Sequence, residues 1–225
     1  LLIASLITTL SIKIKFIEKK VFVESYVSPI VDFFQRYGIK LALFLLILIG
    51  LYRISDIVLG VISNIFYQDL QFSKVEIATI VKTYGLVMTI VGGFLGGILS
   101  MKYGVLRILY LGAFLTVVTN LLFMLLSIYG YNLPLLYFVI SADNLSAGIA
   151  SAAFVAFLSR LTNISFTAMQ YAIFSSLMTL LPKILGGYSG SIVENIGYTN
   201  FFLIASLLGV PVLLVIFYIN KYLKF

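Results

Sequence analysis

Five ionisable side chains interrupt otherwise apolar stretches of this 225-residue chain: Arg53, Asp56, Lys82, Asp143 and Lys183. A charged group at the centre of a membrane helix costs about 2.5 to 3.5 kcal/mol, so it calls for a partner or a function. Carboxylates and amines at such depth can carry protons, bind polar groups of a substrate, or neutralise one another. These residue types therefore indicate binding or proton transfer inside an apolar environment.

The spacing of the first two groups indicates a pair. Arg53 and Asp56 stand three residues apart, so on a helix they share a face and can neutralise each other. Asp143, followed by the amide of Asn144, has three open interpretations: substrate binding, proton carriage, or neutralisation of a lysine.

The two lysines also have alternative interpretations. Lys82 stands near the beginning of its apolar stretch and therefore close to one membrane surface. Its long side chain can extend to that surface as readily as it can bind a ligand. Lys183 follows Pro182, which weakens the local helix. Lys183 is either a site residue or a partner of Asp143. The amides Asn120, Asn163 and Gln170 are weaker candidates, since amides also serve helix packing.

Six long apolar stretches must position these groups. They cover residues 41–66, 77–100, 105–128, 135–158, 168–193 and 200–220. At ~1.5 Å per residue, each can cross a hydrocarbon core of ~30 Å as a helix. The chain is 62% hydrophobic and 10% charged, whereas soluble domains are about 25% charged. We therefore predict an all-α membrane protein, in which the five charges share one layer about 9 to 20 Å below one membrane surface.

Composition excludes several kinds of chemistry. The chain has no cysteine and no histidine, so disulfides, thiolate catalysis and a Ser–His pair are not available, and the commonest metal ligand is missing. No catalytic residue, metal site or cofactor is predicted, and we do not expect an enzyme.

The distribution of basic residues predicts the topology. The breaks at 67–76, 129–134 and 194–199 hold Lys74 as their basic residue. The opposite breaks and the C-terminal tail hold the following basic residues: Lys13, Lys15, Lys19, Lys20, Arg36, Lys40, Lys102, Arg107, Arg160, Lys221 and Lys224. By the positive-inside rule, the side that holds these basic residues is cytoplasmic, and the C-terminus lies on that side. The net charge of +7 is thereby explained without a nucleic-acid partner.

Three regions are predicted along the chain. Residues 1–12 are the end of a truncated transmembrane helix, and residues 13–40 form a cytoplasmic loop. Residues 41–225 form a six-helix transmembrane bundle. Within the loop, residues 21–35 can form a membrane-surface helix with Pro29 near its start, and its apolar side is composed of Phe22, Tyr26, Ile30, Phe33 and Phe34.

A weak internal repeat suggests two triplets of helices with opposite topology, as in one half of a transporter. The second and fifth spans each carry a lysine followed by closely spaced glycines, and the first and fourth each carry a carboxylate. Glycines four residues apart allow close helix packing. The glycines predicted to pack in this way are Gly92, Gly93, Gly96, Gly97, Gly186 and Gly190.

Several motifs resemble the AmpG muropeptide permease family of the major facilitator superfamily. They are Leu51-Tyr-Arg-Ile-Ser-Asp56, Lys82-Thr-Tyr-Gly-Leu86, Val91-Gly-Gly-Phe-Leu-Gly-Gly97, Asp143-Asn-Leu-Ser-Ala-Gly148, Ala153-Phe-Val-Ala-Phe157 and Thr167-Ala-Met-Gln-Tyr-Ala172. The run Asp32-Phe-Phe-Gln-Arg-Tyr-Gly38 resembles the entry into the family's seventh helix. The turn from Gly97 to Arg107 resembles the superfamily's loop motif, except that Met101 replaces the usual acidic residue.

The resemblance implies the C-terminal half of a facilitator fold in a bacterial inner membrane. It implies proton-coupled import of anhydromuropeptides for cell-wall recycling, with the N-terminal half, the lipid bilayer, the muropeptide and protons as partners. It also implies that the first helix of each triplet, which carries Arg53, Asp56 or Asp143, lines the central cavity. The alternatives are another facilitator that carries sugars, drugs or an acyl-CoA, and a non-transporting membrane remnant.

Overall fold

The computed structural model describes residues 23–223, which contain six helices long and apolar enough to cross a membrane and no β-strand. They are built from seven helical segments, of which α1 and α2 belong to the same span: α1 (Ser28–Leu51), α2 (Ile54–Asp69), α3 (Lys74–Tyr103), α4 (Val105–Tyr129), α5 (Leu133–Leu161), α6 (Thr167–Gly186) and α7 (Ser189–Asn220). This confirms the predicted all-α membrane fold. The predicted truncated helix at residues 1–12, together with Lys13, Lys15, Lys19, Lys20 and Phe22, lies outside the described residues.

Three of the four glycines with positive φ in residues 23–223 share one backbone conformation and mark turns or breaks in the helices. Gly38 (φ 69°, ψ 158°), Gly104 (φ 91°, ψ 146°) and Gly197 (φ 76°, ψ 168°) share a conformation that side chains strongly disfavour. Gly104 separates α3 from α4, whereas Gly38 and Gly197 interrupt α1 and α7 internally. The first span therefore begins after Gly38 and the sixth after Gly197, close to the predicted starts at residues 41 and 200.

Contacts with the first span show that the chain reverses direction at Gly197. The Ser189 hydroxyl donates to the carbonyl of Val58, and the Tyr198 hydroxyl donates to the carboxylate of Asp69, at the end of α2. The Ser55 hydroxyl then donates to the carbonyl of Ala205. Residues 189–196 consequently complete the fifth span, and residues 198–220 form the sixth. We call the two ends of the bundle the Asp69 end and the Arg36 end.

The helix pairs follow the exchange expected of two three-helix repeats. The exchange replaces the first, second and third spans by the fourth, fifth and sixth. Under it, the contact between the second and fourth spans corresponds to the contact between the fifth and first. The contact between the third and fourth spans corresponds to the contact between the sixth and first. The third and sixth spans, which exchange with each other, pack together. Because each triplet has three spans, the second triplet begins on the opposite side of the membrane from the first. Gly104 and Gly197 occupy equivalent turns, between the second and third helices of each triplet.

The predicted surface helix is attached to the bundle. Residues 28–37 of α1 precede the break at Gly38, and Phe33 packs against Phe174 of α6 with ring centroids 5.2 Å apart. Of its predicted apolar side, Phe33 is buried, whereas Tyr26 and Ile30 are exposed.

Candidate functional site

A break in the first span places two of the predicted charges. Tyr52 and Arg53 separate α1 from α2, and Arg53 has φ −98° and ψ 11°. Neighbouring helices hold this break: the Tyr52 hydroxyl donates to the carbonyl of Leu109 at 3.0 Å, and its ring stacks on Phe154 with centroids 4.5 Å apart. Asp56 lies in the first turn of α2, where the helix dipole favours negative charge.

Arg53 and Asp56 form the predicted ion pair. Nε of Arg53 lies 3.0 Å from Oδ2 of Asp56, and Nη1 donates to Oγ of Ser151 on α5 at 2.5 Å. The Nε–H does not point at the carboxylate oxygen, so the contact is an ion pair without a well-aligned hydrogen bond. Both side chains are partly accessible. The pair therefore faces an open space and also ties the first span to the fourth.

That open space is a cavity of about 390 Å³ between the first four spans, on the side of the break that faces the Asp69 end. Six of the predicted residues line it: Arg53, Asp56, Lys82, Asn120, Asp143 and Asn144. Their side chains come from four spans and include four of the five charges of the predicted layer; Lys183 is not among them. With two cations and two carboxylates, the formal charge of these lining residues is zero.

Asp143 differs from Asp56 in its surroundings. The ion pairs in residues 23–223 are Arg36–Asp32 and Arg53–Asp56, so Asp143 has no ion-pair partner among the described residues. It lies close enough to Arg53, Asp56, Tyr67 and Thr119 to interact with them, although Arg53 is in direct contact with Asp56 instead. Asp143 is thus the carboxylate of this cavity that no cation neutralises by direct contact.

Asn144 serves helix packing as well as lining the cavity. Its Nδ2 donates to the carbonyl of Ile140 at 3.0 Å, and its Oδ1 accepts from the Thr89 hydroxyl at 3.0 Å. A Cβ at Gly85 would lie 3.1 Å from this amide. Asn144 therefore helps to fix α3 against α5 at the level of the cavity.

Lys82 lies in an unusual part of α3. Residues Ile77–Tyr84 form a π-helical stretch, a rare geometry that often occurs at functional sites. The Lys82 side chain is exposed and lines the rim of the cavity. This position is compatible with both sequence interpretations, contact with a ligand and extension toward the surface.

Lys183 is not part of the cavity. Its side chain is exposed on α6, and the expected pair with Asp143 does not form. The rotation of α6 explains this position, because Pro182 and Gly186 take the buried face of the helix and Gly186 packs against Val61 of α2.

The predicted packing glycines fall into two groups, according to whether their face of the helix packs on another helix. Gly92 and Gly96 are buried against α5, where a Cβ would collide with backbone atoms of Leu145 or Ile149. Gly93, Gly97 and Gly190 instead have open space where a Cβ would stand, because they lie on other faces of their helices.

Sequence reasoning missed two threonines of a polar stripe beside the cavity and gave the amide of that stripe, Asn120, only as a weaker candidate. Thr116, Thr119 and Asn120 of α4 are buried, and Nδ2 of Asn120 has no hydrogen-bond partner in the described residues. Asn120 lines the cavity, and the Thr116 side chain lies beside Asp56. Their spacing of three and four residues puts them on one helix face. Such a polar stripe in an apolar helix was the available signal.

A second polar network lies at the Arg36 end. The Gln170 side chain is 2% exposed, and its Nε2 donates to the carbonyl of Pro29 and to Asp32, each at 2.8 Å. Its Oε1 accepts from Nη2 of Arg36 at 3.1 Å and from the backbone N–H of Asn163 at 2.8 Å. This network attaches residues 28–37 to α6 and to the turn after α5.

Comparison with known proteins agrees with the family resemblance found in the sequence. The family model described as Major Facilitator Superfamily matches residues 44–223. Several curated relatives are named "Putative transporter AmpG" with a number. AmpG 1 of Rickettsia bellii is 36% identical over 83% of this chain and 46% of its own length. AmpG 4 of Rickettsia conorii is 31% identical over 92% of this chain and 50% of its own length.

An uncharacterized protein of Haemophilus influenzae is 35% identical over 88% of this chain and 48% of its own length. The chain thus spans about half the length of these curated relatives.

Proposed function

Because the chain belongs to the Major Facilitator Superfamily, we propose that it acts as the C-terminal half of a proton-coupled importer of anhydromuropeptides. The cavity carries this proposal, since charged and amide side chains from four spans meet there inside a multi-pass membrane protein. The AmpG names of its relatives suggest the substrate class. In this proposal the carrier lies in a bacterial inner membrane, with the Arg36 end and the C-terminus in the cytoplasm.

The two carboxylates of the cavity receive different roles in the proposal. Asp56 is held by Arg53 at 3.0 Å and keeps its charge as part of a neutral pair. Asp143 has no such partner among the described residues, and gain or loss of a proton there changes the net charge of the cavity. We assign the coupled proton to Asp143. The protonated side chain is neutral, and a neutral group in the membrane core costs far less than a charged one.

The remaining lining groups suit the chemistry of a muropeptide. Arg53 and Lys82 can bind peptide carboxylates, and the side-chain amides can bond to sugar hydroxyl and acetamido groups. A cavity of about 390 Å³ forms one wall of a binding site, and a second six-helix half would supply the other wall and the gate. Lys183, which lies outside the cavity, receives no role in substrate binding.

Uptake of labelled anhydromuropeptide tests the proposal in cells that lack their own permease. We expect no uptake by the 225-residue chain alone and saturable uptake when a matching N-terminal half is co-expressed. Saturable uptake by the chain alone would contradict the half-carrier and indicate an assembly of identical chains. Competition by unlabelled cell-wall fragments, and not by sugars, drugs or acyl-CoA, separates this carrier from other facilitators.

The role of Asp143 has its own test in the co-expressed pair. Asp143→Asn should abolish accumulation driven by a pH gradient while exchange of labelled for unlabelled substrate continues. The matched control is Asp69→Asn at the Asp69 end, where the carboxylate bonds to Tyr198 outside the cavity. Gradient-driven accumulation by Asp143→Asn at the unsubstituted rate would contradict the assignment.

A further inference from the structure

A second pocket, of about 460 Å³, lies where the chain enters the first span and leaves the sixth. It is separate from the cavity that contains Arg53 and Asp143. Its wall combines the glycine break at Gly38, a lysine, Lys40, and three tyrosines, Tyr37, Tyr218 and Tyr222, with Ile39 and Leu41 beside them.

Two cations from distant parts of the sequence lie at or beside this pocket. Lys40 lines it, and Lys221 stands between the lining residues Tyr218 and Tyr222, close enough to the Tyr218 hydroxyl to act on it electrostatically. The described carboxylates in ion pairs, Asp32 and Asp56, belong to Arg36 and Arg53. Within residues 23–223, neither Lys40 nor Lys221 is in an ion pair with a carboxylate.

Aromatic rings give the pocket a fixed wall. The ring of Tyr218 packs on Phe44 with centroids 4.5 Å apart and on Tyr222 with centroids 5.0 Å apart. Tyrosines at the ends of membrane helices occupy the level of the lipid headgroups, with their rings toward the acyl chains. Ile39, which is 72% exposed, places an apolar side chain beside the charged groups. The pocket therefore offers positive charge and hydroxyl donors next to an apolar surface.

We propose that this pocket binds the phosphate of an anionic phospholipid headgroup, with Lys40 and Lys221 as its cations and Tyr218 and Tyr222 as hydrogen-bond donors. Basic pockets between transmembrane helices are typical sites for such headgroups. The adjoining apolar surface favours a membrane lipid over free phosphate, because it covers the upper part of an acyl chain. This proposal depends on the bundle alone and is independent of the transported substrate.

Native mass spectrometry of the purified chain measures the binding directly. The chain is titrated with phosphatidylglycerol, with phosphatidylcholine of the same acyl chains, and with inorganic phosphate. We expect one phosphatidylglycerol to be held more tightly than phosphatidylcholine. The variant K40Q/K221Q should weaken this first adduct about 30-fold, at about fivefold per lysine, whereas K40R/K221R should retain it.

The matched control is K102Q, compared with K40Q alone, because Lys102 lies at the same end of the bundle and does not line this pocket. An adduct that K40Q/K221Q leaves unchanged would overturn the proposal. An equal loss in the control would also overturn it, because it would assign the binding to overall surface charge. Tight binding of inorganic phosphate, with displacement of the lipid, would identify a free-anion site and overturn the assignment to a lipid.

Discussion

Arg53 joins the first span to the fourth through a hydrogen bond from its Nη1 to Oγ of Ser151 at 2.5 Å, while its Nε lies 3.0 Å from Asp56. One guanidinium therefore neutralises a carboxylate and also connects two helices that line the cavity. The break between α1 and α2 places this side chain there, because it allows the backbone at Arg53 to leave helical geometry.

Removal of Arg53 alone should destabilise the bundle. Arg53→Leu leaves Asp56 without its partner, and we expect a loss of about 1 to 3 kcal/mol in the free energy of unfolding. Thermal unfolding in detergent measures the change. The double variant Arg53→Leu, Asp56→Leu should recover most of this stability, since no uncompensated charge is left, yet should not transport in the co-expressed pair. A double variant as unstable as Arg53→Leu would show that the ion pair is not the cause.

Two adjacent glycines of α3 should respond differently to the same substitution. A Cβ at Gly92 would collide with the Leu145 carbonyl oxygen on α5, whereas a Cβ at Gly93 would meet open space. We expect Gly92→Ala to cost about 1 to 3 kcal/mol and Gly93→Ala to be neutral or slightly stabilising. Because both changes raise helix propensity equally, the difference in unfolding temperature isolates helix packing. Equal effects would contradict the observed rotation of α3.

The network around Gln170 should hold residues 28–37 to the bundle. Gln170→Leu removes hydrogen bonds to Pro29, Asp32, Arg36 and Asn163, and we expect a local loss of about 1 to 3 kcal/mol. Hydrogen exchange should accelerate at the amides of residues 28–37. The control is Gln68→Leu, at an exposed glutamine that bonds to Asn64 within its own helix. Unchanged exchange in Gln170→Leu would show that apolar contacts such as Phe33–Phe174 hold the segment by themselves.

The topology can be tested by reporter fusions. Basic residues are concentrated at the Arg36 end, so we expect that end in the cytoplasm. A fusion after Tyr131 should report the periplasm, and one after Asn163 should report the cytoplasm. The opposite pattern would overturn the orientation, while the fold and the cavity would stand.

The number of spans and the depth of the charges were predictable from the sequence. In lipid, each segment must satisfy its own backbone hydrogen bonds, so a long apolar stretch forms a helix whatever its neighbours are. Residue number along a helix then gives depth at ~1.5 Å per residue. For this reason one layer could be predicted for Arg53, Asp56, Lys82, Asp143 and Lys183 before any helix was oriented, and the first four of them line the cavity.

The rotation of each helix and the partners of each side chain required the tertiary structure. Hydropathy gives little information on rotation in a bundle whose outer surface is also apolar, so the sequence did not exclude Lys183 from the cavity or separate Gly92 from Gly93. The bond from Arg53 to Ser151 and the network around Gln170 join residues far apart in the sequence. Close packing of whole helix surfaces decides these contacts, and local sequence patterns do not encode them.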